Sequence, residues 1–211
     1  MIFTRNPVVN VFEAQVSFTT YGRIVHLQIQ ESSLKVGPPR ARKYDPAPIR
    51  SVPRLTLTAH GASAMIDGVE VIDVHNALHP DSKNRNGIND LSVGFTANYD
   101  QMRARLGNHI LYGIAGESIL VEADDPPSLE DLVGGLEIET ESGYWITLGE
   151  ASVAHPCVEF SRFCLGPERN EPQLLKETLQ FLDDGMRGFY LGLSEGEPVE
   201  IAVGARVRWS V

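Results

Sequence analysis

Cysteine is scarce in this chain: among 211 residues only Cys157 and Cys164 occur. Their C-x6-C spacing is neither the C-x-x-C pair of a zinc site nor a disulfide framework, so both are expected as free thiols in a reducing, cytoplasmic setting. Long apolar runs are also missing. No stretch approaches the ~18 residues that a membrane helix needs, and no basic segment leads into an apolar one at the start, so neither a membrane partner nor export is expected. Positive charge is in deficit, with 18 Lys and Arg against 28 Asp and Glu and a net charge of -10. Such a surface repels phosphate backbones, which excludes a general nucleic-acid binder and leaves small molecules, met by a local basic pocket, as the expected partners. There is no G-x-S-x-G nucleophile elbow, no G-x-x-x-x-G-K-[ST] phosphate loop and no flavin fingerprint. Additional iron–sulfur ligands and internal repeats are absent too.

What the chain does have is β pattern. Hydrophobic residues at 42% and charged residues at 22% allow a sizeable core. The apolar residues alternate, or form short β-branched runs bounded by Gly, Pro, Asn and Asp. Strands are predicted at 11–19 and 23–30, pairing as a hairpin around Tyr21-Gly22, and at 54–58, 69–74, 119–122, 136–139 and 144–154. A closing hairpin is predicted from 188–193 and 199–209 across Ser194-Glu195-Gly196-Glu197. Residues 36–53, with Pro38, Pro39, Pro46, Pro48 and Pro53, read as a surface loop, and 75–90 as a long polar loop. Two helices are expected. One covers 97–106, capped by Thr96, stopped by Gly107, and burying Tyr99, Met102 and Leu106. The other covers 172–183, with Asn170 as cap, Pro172 in the first turn, Leu175, Leu179 and Leu182 on one face, and Gly185 as the stop. Asp183 and Asp184 oppose its dipole, with no purpose visible in the sequence.

The run His155-Pro156-Cys157-Val158-Glu159-Phe160-Ser161-Arg162 is where a thiolate could be made and used, since histidine and arginine nearby supply a positive field. A cysteine beside Val and Phe is also a common small buried hydrophobe. Pro156 holds His155 extended, so Cys157 is expected at the end of a strand, with the His155 side chain on the opposite face. Cys164, beside Phe163 and Leu165, is expected in the core. Asp73, His75, His79 and Asp81 could ligate a divalent metal or simply form turns.

Four segments resemble the MOSC domain, the family named after the C-terminal domain of molybdenum cofactor sulfurases. Gly113-Ile114-Ala115-Gly116-Glu117-Ser118-Ile119 is similar to its Gly-Glu-Asn segment, with Ser118 in place of Asn. Ala154-His155-Pro156-Cys157 resembles its Pro-Cys motif. The segment from Arg187-Gly188-Phe189-Tyr190 through Gly196 to Gly204 resembles its closing hairpin, without the aspartate often found there. Gly22-Arg23-Ile24-Val25 resembles its opening. Gly68 to His75 resembles the Gly-Asp-x-His entry loosely, and 81–87 replaces a more glycine-rich stretch. The resemblance covers about 22–209, within one expected domain over 1–211.

It implies a mainly β, β-barrel-like MOSC domain with a few α-helices. It also implies the molybdenum cofactor, a pterin dithiolene phosphate (molybdopterin), with Cys157 as the catalytic persulfide carrier of sulfur or as a ligand to molybdenum. A soft thiolate suits both roles. The phosphate would need cations. Lys83, Arg85, Arg103, Arg105 and Arg162 are candidates by charge, Arg85 and Arg162 foremost, although each can equally be a solvated surface charge. Arg103 and Arg105, two apart on a helix, cannot share one pocket. Glu117 either orients the ligand or satisfies a turn. Three functions follow: sulfur transfer fed by an external donor, reduction of N-hydroxylated compounds fed by an electron-transfer protein, or a binding module without cofactor.

Overall fold

In the computed structural model the described residues are 18–83, 91–169, 171–193 and 196–210. The elements in order are β1 (Phe18–Gln30), β2 (Lys35–Val36), β3 (Lys43–Tyr44), β4 (Ile49–Val52), β5 (Arg54–Thr58), β6 (Gly61–Ile66), β7 (Val69–Ile72) and β8 (Leu91–Phe95). Then come α1 (Thr96–Leu106), β9 (Ile119–Glu122), β10 (Leu136–Glu139), β11 (Trp145–Val153), α2 (Val158–Leu165), α3 (Pro172–Leu182), β12 (Phe189–Leu193), β13 (Val199–Ala202) and β14 (Arg206–Ser210). The protein is mainly β, as the alternation predicts. Among the described residues, seven strands close a barrel in the order β14, β10, β11, β12, β8, β9, β1, with the β1–β14 pairing as its seam. Closure leaves no free edge around the ring. All its pairings are antiparallel except β8–β9, which α1 connects as a crossover. A smaller sheet, β13-β5-β6-β7, lies beside it.

Two expected hairpins do not form. Tyr21-Gly22 lies inside β1, not at a turn: 18–23 pairs with β14, and 27–30 pairs with β4. Gly22 is there for close approach, since a Cβ would stand 2.6 Å from Val121 Cγ1. Residues 11–17 of the first predicted strand lie outside the described residues. At the other end, β12 pairs with β11 and β8, β13 with β5, and β14 with β10 and β1. The run 199–209 therefore divides at Gly204, where φ is +95°, and sends its halves to different sheets. The proline-rich loop also holds β4 and the small β2–β3 ribbon.

The barrel interior is filled by residues such as Leu27, Ile119, Phe189 and Trp209, with Phe95 edge-on to Trp209 at 5.8 Å. A second cluster packs under the helices: Tyr99, Met102 and Leu106 from α1, as predicted, with Phe160, Cys164, Leu165 and Leu182. Helix α2 is not among the two helices expected from the sequence. Phe160, Ser161, Cys164 and Leu165 form its buried face, an i, i+1, i+4, i+5 pattern too short to separate from a strand by periodicity alone. Helix α1 is capped by Phe95, with Thr96 as its first residue, and stops at Gly107 (φ +123°). Helix α3 is capped by Glu171; Asn170 lies outside the described residues. Asp183, unexplained in sequence, caps the end of α3 and accepts a 2.7 Å bond from His155. Among the described residues no helix is long and apolar enough to cross a membrane.

Candidate functional site

The end of β1, the β2–β3 ribbon, the loops after β7 and β11, and the start of β12 converge on one cleft of about 230 Å3, walled in part by Gln30, Lys35, Tyr44, His75, Lys83, His155, Arg187 and Tyr190. Its histidine is fixed by a buried carboxylate. Asp73 Oδ1 accepts from the His75 backbone N–H at 2.8 Å and lies 2.8 Å from His75 Nδ1. Oδ2 accepts from Gln30 N–H at 2.7 Å. The Asp73 carboxylate therefore serves to hold His75 against the end of β1. His79 and Asp81 form a local turn, with Asp81 N–H donating to His79 Nδ1 at 3.1 Å. Among the described residues no three His, Cys, Asp or Glu side chains gather as a metal group.

Beneath the cleft, Arg187 and Glu117 line a small pocket of about 30 Å3 that shares Gln30, His75, Arg187 and Tyr190 with it. Arg187 Nη1 and Nη2 donate to the His155 carbonyl at 3.1 Å and the Ala115 carbonyl at 2.9 Å. Arg187 thus ties the Cys157 loop to the Glu117 loop, with its guanidinium 5.1 Å over the Phe160 ring. Burial works against its charge, yet the surrounding Tyr190, Tyr44, Cys157 and Glu117 hold it cationic above its ordinary range. Glu117 is 3% exposed. Its Oε2 accepts from Tyr99 at 2.9 Å, and the Tyr99 oxygen accepts from Ala115 N–H. Burial pushes the Glu117 carboxyl above its ordinary value, with the Tyr99 hydroxyl, backbone N–H groups and Arg187 pulling the other way. Tyr44, whose hydroxyl donates to the Ile114 carbonyl at 2.6 Å, is raised by burial.

Cys157 is the N-cap residue of α2, not a strand residue, and is half-buried against the second cluster. It lies within electrostatic range of Tyr44 and Arg187, both walls of the cleft. Its thiol lies near enough to the Glu159 carboxyl to act on it electrostatically. Burial opposes the charge on Glu159, but its own backbone N–H, Lys35, that thiol and Arg42 outweigh it and hold the carboxyl below its ordinary range. A helix N-terminus is a place where negative charge is favoured. Cys164 is fully buried, and burial pushes its thiol up to about 12.

Of the residues singled out in sequence, Glu117, Lys83, His75, Asp81 and His155 reach this site, and Cys157 flanks it. Arg103 does not: it bonds to Asp100 at 2.5 Å and to the Ile110 carbonyl, over the Tyr112 ring. Arg105 sits over Phe181. Arg162 is exposed on the outer face of α2 and lines a separate recess with Arg42, Lys43 and Phe163. Arg85 lies outside the described residues. Sequence reasoning missed Arg187, although it opens the quoted segment Arg187-Gly188-Phe189-Tyr190, and missed Tyr44, Gln30 and the pairing of Asp73 with His75.

No protein-family model and no curated protein matches the sequence. Among solved structures, the YuaD protein from Bacillus subtilis aligns with a TM-score of 0.58 and 14% identity, over 92% of this chain and 100% of that one. This chain is similar to it in fold, so the class defined here is that of a mainly β, barrel-built protein with a polar cleft at converging strand ends.

Proposed function

We infer that the protein binds the molybdenum cofactor in this cleft and carries sulfur on Cys157. The observation that supports this best is a free, half-buried thiol at the N-terminus of α2 beside a cleft that gathers Lys35, Lys83 and Arg187 in a chain of net charge -10. The residues fit the group: Lys35 and Lys83 at the cleft wall suit a phosphate, a soft thiolate suits a thiophilic metal, and two buried polar atoms, Glu117 Oε1 and Arg187 Nε, have no partner among the described residues. When bound, the cofactor supplies the metal centre toward which the sulfur is carried. Cys157 is loaded when its thiolate attacks the outer sulfur of a donor persulfide. The donor's S–S bond breaks, the donor leaves as a thiolate, and Cys157 keeps the persulfide. The donor is an external protein or small molecule in a reducing, cytoplasmic setting, where Cys157 stays a free thiol between cycles.

The test is metal and pterin analysis of protein purified without air from a host that makes the cofactor, with Cys157→Ser alongside. A Cys157 persulfide, together with pterin that binds the wild type, is the expected result. Stoichiometric molybdenum lost in the variant, without persulfide, would instead favour reduction of N-hydroxylated compounds with an electron-transfer partner. Neither metal, pterin nor persulfide would leave a binding module.

A further inference from the structure

Glu117 Oε1 and Arg187 Nε are the two buried side-chain atoms left unpaired among the described residues, and their side chains line the same pocket. An unpaired buried polar group costs roughly 1–3 kcal/mol, and native interiors keep few of them. Two in one pocket point to a molecule that pairs them. The surrounding residues preserve the opening. Gly94 lies against the carboxyl, where a Cβ would sit 3.2 Å from Oε1. Tyr99 holds the other carboxyl oxygen, and both Nη atoms of Arg187 are already committed to carbonyls. The two atoms with no partner at all are thus one fixed N–H donor, Arg187 Nε, and one fixed acceptor, Glu117 Oε1. Gln30, His75 and Tyr190 wall both pocket and cleft, so a group that enters the pocket can belong to a molecule whose body lies in the cleft.

Resting on the cofactor reading above, we propose that this pocket reads the amino-lactam edge of a pterin: the lactam carbonyl accepts from Arg187 Nε–H, and the ring amino group donates to Glu117 Oε1. Complementarity selects this edge. A phosphate offers only acceptors and leaves Glu117 facing like charge, and a hydrocarbon leaves both groups unpaired. An edge that carries an acceptor and a donor satisfies both with charge-assisted bonds. A site built this way rejects an analogue that lacks the donor, because its own buried group is then left unpaired.

Titration calorimetry with pterin and with lumazine, in which a carbonyl replaces the amino group, tests the assignment at mildly alkaline pH. The wild type is expected to bind pterin at least about tenfold tighter than lumazine. Glu117→Gln should lose that preference while its thermal unfolding stays cooperative. Arg187→Lys, which keeps the charge but has no Nε–H fork, should weaken both ligands alike. Equal affinity of the wild type for the two compounds, no binding of either, or an unchanged preference in Glu117→Gln overturns the proposal. Retention of co-purified pterin separates the two levels. Full retention by Glu117→Gln defeats the edge assignment alone, whereas absence of pterin from wild type and variant defeats the cofactor reading with it.

Discussion

Two thiols on one short helix differ in what water and reagents can reach. Cys157 is half-buried at the N-terminus of α2, while Cys164 is fully buried, hydrogen-bonded through its carbonyl to His109, and pushed up to about 12. Iodoacetamide on the native chain should therefore give one adduct, at Cys157, with Cys164 modified only after unfolding. Peptide mass spectrometry reads this directly, and equal labelling of both would remove Cys157 as the reactive thiol. Glu117 carries a pH signature. Its folded-state value lies above its ordinary 4.5, so its favourable contribution is complete below the unfolded value and is lost as pH rises through the folded one. Wild-type stability should fall with rising pH across that window, and Glu117→Gln should lack that fall, as measured by denaturant unfolding at a series of pH values. Cys157, Glu117 and Lys83 were legible because a motif or a local charge marked them. Arg187 was not, since what makes it special is Phe160 beneath it and two loops beside it, none of them near in sequence.

At the level of elements, the turn into β12 is the tightest support of the site. Gly188 follows Arg187 with φ +104°, and a Cβ there would stand 2.2 Å from the Val93 carbonyl oxygen. Gly188→Ala should cost at least about 2 kcal/mol, through left-handed strain and displacement of β8. A lowered thermal midpoint with unchanged unfolding cooperativity is the expected reading, and an unshifted midpoint would show that β8 and β12 can separate freely. Strands β5, β9 and β10 match the sequence pattern residue for residue, because period-two alternation in β5 and β10 and a short apolar run in β9 are local properties of four or five residues. Helix α2 was missed because eight residues give barely two turns of pattern. Asp183 gained its reason from tertiary structure: against the helix dipole it is mildly unfavourable, but its bond to His155 joins the end of α3 to the loop that carries Cys157.

For the whole molecule, barrel closure is the step on which the site depends, because β1 delivers Gln30 to the cleft and β14 seals β1 to β10. Trp209 sits in that seam, 1% exposed and against Phe95. Trp209→Ala should cost about 3–5 kcal/mol, measured by equilibrium denaturation; a much smaller value would mean that the seam contributes little to the fold. The amino-acid sequence by itself determined the β character, the two longer helices, the buried Cys164 and the candidacy of Cys157 and Glu117, since each rests on periodicity, capping or a short motif. Only the tertiary structure decided which strands pair, that 199–209 divides between two sheets, and that Arg103 and Arg162 face away while Arg187 enters the site. Strand pairing and burial are set by contacts between residues far apart in the chain, and a turn signal or a lone charge carries no record of the partner it will meet.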